Sequence, residues 1–297
     1  MAGIMKLKLK TRLKKIFGYM PWAIKDRVLF YRNFGRLPNL KLPKTFNEKV
    51  LYRKRHACIS DEKYSVFADK YLVREFVSKK IGANYLIPLL GKFDCVEELE
   101  KRISNYSRFV LKPNHGAGMV KIIDCINNQS ELNAIIQTAS EWLLVDFAKL
   151  TGEAHYAKIK RNILLEKRIG ADGEFLIDYK IHLFRKINND FSYVLQIIDD
   201  RFVGDLNRTF YINTLDNIYS GNHQLDSRFK EKIYQAIELS KLLIDDLEYA
   251  RIDWYIVDGI IYFGEITLTP GAGLGKGYGS ELDLLMGQQW DLSLAPR

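Results

Sequence analysis

The sequence is short of cysteine, of long apolar runs and of basic charge outside its first residues. Its three cysteines, Cys58, Cys95 and Cys125, are odd in number and scattered. That spacing neither holds zinc nor lays out a disulfide framework, so a reducing compartment is expected. No apolar run approaches the roughly 18 residues a spanning helix needs. No apolar segment long enough for a secretory leader follows the first basic residues, and a cytoplasmic location is expected. There is no internal repeat, no low-complexity tract and no Ser-His-Asp or Cys-His arrangement that would supply a nucleophile.

The net charge of +9 is lopsided, because residues 1–36 hold ten Lys/Arg against one acid and the remainder balances. A basic nucleic-acid-binding face is therefore unsupported, and no nucleic-acid partner is expected. The segment MKLKLKTRLKKIFGYMPW has two readings. It lies on an anionic membrane surface as a basic arm carrying Leu, Ile and Phe, or it is a solvated tail or an arm packed on its own domain.

At 297 residues and 47% hydrophobic content, the chain suffices for one large domain or two to three small ones. Thr45 with Glu48 three residues on has the pattern of a capping box, so a helix is expected to start there. ADKYLVREFVSKKIG spaces Tyr71, Phe76, Val77 and Ile81 helically and stops at Gly82. YLIPLLGKF reads as a short strand, RFVLKPNHGAGMVKIID as strand, Gly-containing loop and strand, and 130–149 as a helix. RNILLEKRI, IDYKIHLFRK and FSYVLQIID read as strands. KEKIYQAIELSKLLIDDLEY is an amphipathic helix with Ile233, Ala236, Ile237, Ser240, Ile244 and Leu247 on one stripe. Helices segregated against antiparallel strand pairs predict an α+β fold.

The stretch RIDWYIVDGIIYFGEIT sets Arg251, Asp253, Glu265 and Thr267 into two strands that otherwise read as buried core. A two-residue turn at Asp258-Gly259 would scatter these groups over both faces. A three-residue loop of Asp258, Gly259 and Ile260 sets Asp253 against Glu265 and Arg251 against Thr267, with Ile252, Trp254, Ile256, Tyr262, Ile266 and Leu268 on the other face. Facing carboxylates repel unless a cation sits between them. Asp, Glu and Thr oxygens suit a hard ion such as Mg²⁺ shared with phosphates. A structural salt-bridge cluster is the alternative. Upstream, VLKPNHGAGMVK delivers Lys112 to a loop whose backbone N–H groups are placed to cradle phosphates, with Lys121 on the returning strand. It is not a Walker loop, since no G-K-[ST] opens a helix.

In order, Asp69-Lys70, FVLKPNHGAG, ILLEKRI, DYK, RID and EITLTPGAG resemble the ATP-grasp superfamily of carboxylate-amine ligases. TFNEK, ADKYLVREFV, NYLIPLLG, EAHY and YFGEITLTP resemble the branch associated with teichuronopeptide and other cell-surface polysaccharide biosynthesis. The likeness runs from about residue 43 to about 290. It implies two α+β subdomains with mainly antiparallel sheets gripping ATP between them. The expected division is a basic helical arm over 1–42, a pre-grasp region over 43–107, a small subdomain over 108–168 and a large one over 169–297.

By the same resemblance, Lys70 and Lys112 contact nucleotide phosphates, and Asn114, His115, Gly116 and Gly118 belong to a flap over them. Glu166 and Lys167 through Ile169 match the hinge that holds adenine. Asp253, Glu265 and Thr267 match Mg²⁺ ligands, with Asn more usual at the last position, and Arg251 matches a phosphate-facing arginine. Lys180 stands where relatives place a basic residue near the transferred phosphate, and Asp178, on its face, either holds it or forms a structural pair with it. Arg201 and Arg208 are candidates for the acceptor carboxylate or are surface residues. His155 and Tyr156 match the branch's own pattern without an evident role.

The implied activity joins an amino acid or other amine to a uronic acid of a surface glycan or its precursor through an acyl phosphate, with ATP and Mg²⁺. The basic arm would contact the inner face of the membrane. A sugar kinase, a glycosyltransferase and a non-catalytic glycan-binding component are the alternatives.

Overall fold

The structure is a computed structural model and describes residues 18–171, 176–199, 207–244 and 246–295. Two antiparallel sheets organise it, each covered by helices on one face. The first takes β1 (Leu89–Phe93), β2 (Phe109–Pro113), β3 (Lys121–Ile123) and β4 (Ile163–Lys167) in the order β1-β4-β2-β3. The second takes β5 (Asp178–Arg185), β6 (Phe191–Asp199), β7 (Asn207–Ile212), β8 (Tyr249–Val257) and β9 (Ile260–Thr267) in the order β7-β6-β5-β8-β9. The α+β expectation holds. Strand β1 lies upstream of residue 108, yet it pairs with β4 and so belongs to the small sheet.

Period-2 alternation decides what each face does. On the small sheet Phe93, Phe109, Leu111, Ile163 and Leu165 pack with Leu99, Ile103, Ile135 and Ala139 from two covering helices, Val96–Ile103 and Gln129–Leu144. The alternate residues Val110, Lys112 and Glu166 turn to the opposite face. The expected helix over 130–149 is in fact two, because Val145 is extended and Asp146 caps a second short helix, Phe147–Thr151, through Lys149 N.

On the large sheet Ile181, Leu195, Ile252 and Trp254 are covered by the helix Ser227–Leu243, which buries Ile233, Ala236, Ile237 and Ser240 of the expected stripe; it ends before Ile244 and Leu247, which are buried beyond it. Trp254 Nε1 donates to Ser240 Oγ at 2.9 Å, which gives the polar member of that stripe its partner. The second face is covered only at one end. There Phe46 and Val50 of the helix Phe46–Arg55, with Leu282, Met286 and Trp290, pack on Phe184, Val194 and Tyr249.

The capping box forms at Thr45 and Glu48. Asn47 next to it donates from its backbone N and from Nδ2 to Asp283 Oδ1, both at 2.8 Å, which ties the helix to Gly279–Gln289. Arm residues 1–17 lie outside the described residues. The segment that follows is packed down: Asp26 of the helix Trp22–Phe34 is buried, binds Lys54 Nζ at 2.9 Å and also accepts from Arg55.

Gly287 lies where these elements cross. A Cβ there would sit 2.1 Å from Lys44 O and 2.7 Å from Thr45 C. Alanine in a helix is normally better than glycine by about 1 kcal/mol. Gly287→Ala should nevertheless destabilise by about 1–3 kcal/mol, because backbone and not a flexible side chain must yield. A thermal melt of the variant above wild type would refute this packing.

Candidate active site

Between the uncovered faces of the two sheets lies a cavity of about 590 Å³. Its charged wall comes from β5, β8 and β9, where Lys180 pairs with Asp253, Asp253 with Glu265, and Arg251 with Thr267. The expected shared face is present, but its cause differs from the three-residue loop. Val257 pairs with Ile260, so Asp258 (φ 51°) and Gly259 (φ 72°) form a two-residue turn of the type favoured by Asp-Gly. The register then shifts at Asp253/Trp254, where Gly264 is the extra residue of a β-bulge. Ile261 and Phe263, rather than Tyr262, therefore join Ile252, Trp254, Ile266 and Leu268 in the core. An interior strand glycine is the sequence signal for such a bulge.

Here the charges are tightly bonded. Arg251 donates from Nε to Asp253 Oδ1 at 2.7 Å and from Nη2 to Asp253 Oδ2 at 2.8 Å and Thr267 Oγ1 at 2.9 Å. Lys180 Nζ donates to Asp253 Oδ2 at 2.6 Å and lies 3.5 Å from Asp178 Oδ1. Burial alone would raise the pKa of Asp253, but Arg251 and Lys180 hold it below the usual carboxylate range. Glu265 is held down too, by Lys70 at 3.4 Å and Arg251 at 3.3 Å against the effect of burial. Its contacts are longer and its side chain is 29% exposed, so Glu265 is the looser of the two carboxylates.

The opposite wall comes from β2 and β4. Lys112 Nζ lies 2.5 Å from Glu166 Oε2, and Arg74 Nη1 lies 3.1 Å from Glu166 Oε1. Arg74, in ADKYLVREFV, is not among the expected site residues. Lys167 N donates to Pro88 O at 2.9 Å, and Lys167, Arg168 and Ile169 run along the cavity with Ile87, Val110 and Ile122 close by. That end is an apolar slot beside a strand edge.

The loop after β2 divides in two. Gly116 and Gly118 line the cavity and Asn114 and His115 do not. Asn114 is wholly buried, its Nδ2 donating to Asp69 Oδ1 at 3.0 Å and Lys160 O at 2.9 Å, while its Oδ1 accepts from Asn162 N at 2.8 Å. It clamps the loop to Asp69 and leaves no donor for a phosphate. His115 donates from Nε2 to Val145 O at 3.2 Å, its Nδ1 lies 3.4 Å from Asn114 Oδ1, and burial with Arg161 nearby lowers its pKa. Gly116 has φ 89° and a Cβ would meet Phe147 at 2.6 Å, so no other residue fits under the loop. Its carbonyl accepts from Lys70 Nζ at 2.6 Å.

The far end brings residues that sequence reasoning left without a role. Tyr156 and Glu153 line the cavity beside Thr269 and Ala272. Thr269 Oγ1 donates to Glu153 Oε1. His155 is not part of the cavity lining and packs on Tyr156 with ring centroids 4.4 Å apart and tilted by 38°, its pKa lowered to about 3 by burial and by Arg53 and Lys54. Arg208 lies against Gly277 and is not part of the cavity wall. Arg201 lies outside the described residues.

Among the described residues no group of three or more His, Cys, Asp or Glu could hold a metal. Asp253, Glu265 and Thr267 nonetheless offer an all-oxygen set, which fits an ion such as Mg²⁺ that takes few protein ligands and fills the rest with water or phosphate. Such an ion must compete with Arg251 and Lys180 for Asp253.

A family model described as TupA-like ATPgrasp matches residues 48–291. No curated protein matches the chain. Among solved structures it is similar to a D-alanine-D-alanine ligase from Helicobacter pylori, at 20% identity and TM-score 0.44 over 76% of this chain and 62% of that one. It is similar also to N5-carboxyaminoimidazole synthetase from Staphylococcus aureus complexed with ADP, at 15% identity and TM-score 0.44 over 76% and 52%. A D-alanine-D-alanine ligase from Bacillus anthracis complexed with ATP matches at 17% identity and TM-score 0.43 over 77% and 66%. The chain thus spans between half and two thirds of the length of these structures.

Proposed function

This chain belongs to the TupA-like ATP-grasp family, and from that premise we propose that it is an ATP-dependent carboxylate-amine ligase. The observation that carries the reading is one cavity in which Lys70, Lys180 and Arg251 hold the facing carboxylates Asp253 and Glu265, with Lys112 on the opposite wall next to an apolar slot. Lysines and an arginine beside facing carboxylates suit a polyphosphate with a bound divalent ion. Val110, Ile122 and Ile169 suit a purine.

Mg²⁺, held by Asp253, Glu265 and Thr267, would neutralise phosphate charge there. In the first step a carboxylate oxygen of the acid bonds to the γ-phosphorus, and the β–γ bridging oxygen leaves on ADP. Arg251 and Lys180 stabilise the charge on the phosphoryl oxygens as it shifts. In the second step the amine nitrogen bonds to the acyl carbon and phosphate leaves with the former carboxylate oxygen, the ammonium's two surplus protons passing to solvent. The loop at Gly116–Met119 covers the phosphates and keeps water from the acyl phosphate, and no protein nucleophile is needed.

We propose further that the acid is a uronic acid unit of a cell-surface glycan or its precursor and that the amine is an amino acid. Among the described residues no helix is long and apolar enough to cross a membrane. The excess charge of residues 1–36 would hold the enzyme against anionic lipid, beside a lipid-linked acceptor. ATP turnover with Mg²⁺, uronic-acid-containing precursors and mixed amino acids tests the reading, with ADP and product mass read together. Amide formed with equimolar ADP supports it. A phosphorylated sugar that forms without an amine would overturn it in favour of a kinase.

A further inference from the structure

Five carboxylates line the cavity among the described residues: Glu153, Glu166, Asp178, Asp253 and Glu265. Four have a protein cation within 4.0 Å: Glu166 has Lys112 and Arg74, Asp178 and Asp253 have Lys180, and Glu265 has Lys70 and Arg251. Glu153 has none. Its bonded partners are neutral hydroxyls, those of Thr269 and Thr151. Lys54, which acts on it electrostatically, is already paired with Asp26 at 2.9 Å. Glu153 is 6% exposed, and burial raises its pKa. Beside it on the cavity wall, the Tyr156 hydroxyl makes no hydrogen bond to any described residue. A buried carboxylate without a counter-ion is costly unless something binds it, and the half-buried Tyr156 phenol beside it on the cavity wall is free to bond a ligand.

We infer that Glu153 and Tyr156, with Thr269, form the subsite that binds the ammonium group of the amine substrate. The inference rests on the ligase reading and adds to it the place where the second substrate is recognised. Ammonium fits better than the other candidates. A single carboxylate with neutral hydroxyls gives too few ligands for a divalent ion, and an anion would face Glu153 directly. An ammonium supplies the missing positive charge and donates up to three hydrogen bonds, matching the carboxylate, the phenol and the threonine oxygen. Thr269 stands two residues beyond Thr267. The subsite therefore adjoins the end of the cavity where the acyl phosphate forms, so the amine is held next to its target.

Hydroxylamine separates the two halves of the test, because it is mostly neutral near pH 7.5 and at high concentration traps acyl phosphates without an ammonium site. Wild type, Glu153→Gln and Tyr156→Phe are assayed with ATP, Mg²⁺ and UDP-glucuronate or UDP-galacturonate. The nucleophile is either hydroxylamine or an equimolar mixture of the common L-amino acids. For Glu153→Gln the KM for amino acid should rise about 10–100-fold, the loss expected for one charged hydrogen bond, while hydroxamate formation stays within about twofold. For Tyr156→Phe the rise should be about 3–10-fold, as for a neutral bond, and this variant decides the matter if Glu153→Gln does not fold. Equal loss of hydroxamate and amide in both variants would mean a structural role and overturn the inference. An unchanged amino-acid KM would overturn it too. No hydroxamate from wild type with either acid would bring down the ligase reading first, which is a different failure.

Discussion

Glu265→Gln is expected to lower ATP turnover by about 10³-fold, the several kcal/mol supplied by a correctly held metal and phosphate, with the melting temperature nearly unchanged. Two features make this variant cleaner than one at Asp253. The contacts of Glu265 to Lys70, Arg251 and Thr267 are 3.3–3.4 Å long and its side chain is 29% exposed, so little folding energy depends on its charge. Asp253 has both oxygens bonded to buried cations at 2.6–2.8 Å. Removing it leaves Arg251 and Lys180 with only their longer ionic contacts to Glu265 and Asp178, at 3.3 and 3.5 Å, which mixes loss of fold with loss of function. Glutamine keeps the size of Glu265 and removes only the anionic oxygen that a hard ion needs. Steady-state ADP release and a thermal melt on the same preparation check both halves. Turnover within tenfold of wild type would take Glu265 out of the metal site.

The second large effect is on stability. Arg53 is buried and donates from Nη2 to Glu248 Oε1 at 2.6 Å and from Nη1 to Tyr249 O and Leu268 O at 2.9 and 3.1 Å. Its guanidinium lies over the Trp290 ring at 4.5 Å, and Trp290 Nε1 also donates to Glu248 at 3.1 Å. The carbonyl of Leu268 opens the loop that carries Thr269, so this pair supports the far end of the cavity from behind. Arg53→Met leaves Glu248 as a buried carboxylate with one neutral donor, at a cost of about 3–5 kcal/mol. For a chain of this size that is a fall in melting temperature of roughly 10 °C. The double variant Arg53→Met/Glu248→Leu should recover a large part, because neither charge is then left alone. Denaturant titration of the three variants closes the cycle. A single variant within 1 kcal/mol of wild type would show that the pair contributes little.

Much of this was legible in one dimension because it is local. Thr45 and Glu48 cap a helix through bonds three residues apart, and Ser227–Leu243 shows its buried stripe as a 3.6-residue period. The facing of Asp253 and Glu265 was inferred from the cost of scattering charges through a buried hairpin, and the structure has it. The loop proposed to produce it was wrong. Asp258-Gly259 makes the two-residue turn its chemistry prefers, and the bulge at Gly264 restores the register.

Other features depended on contacts between distant parts of the chain. Asn114 sits in a Gly-containing loop that reads as a phosphate cradle, but its amide is consumed by Asp69 and Asn162, 45 and 48 residues away. Glu153 and Thr269, 116 residues apart, meet only through the tertiary fold. The amino-acid order by itself determined the elements, their polar and apolar faces and which charges share a strand pair, since those follow from side-chain periodicity and turn chemistry. The tertiary structure alone decided which polar atoms are satisfied within the protein and which turn to the cavity. Hydrogen-bond satisfaction of a buried group is a property of its neighbours in space, and sequence spacing does not report it.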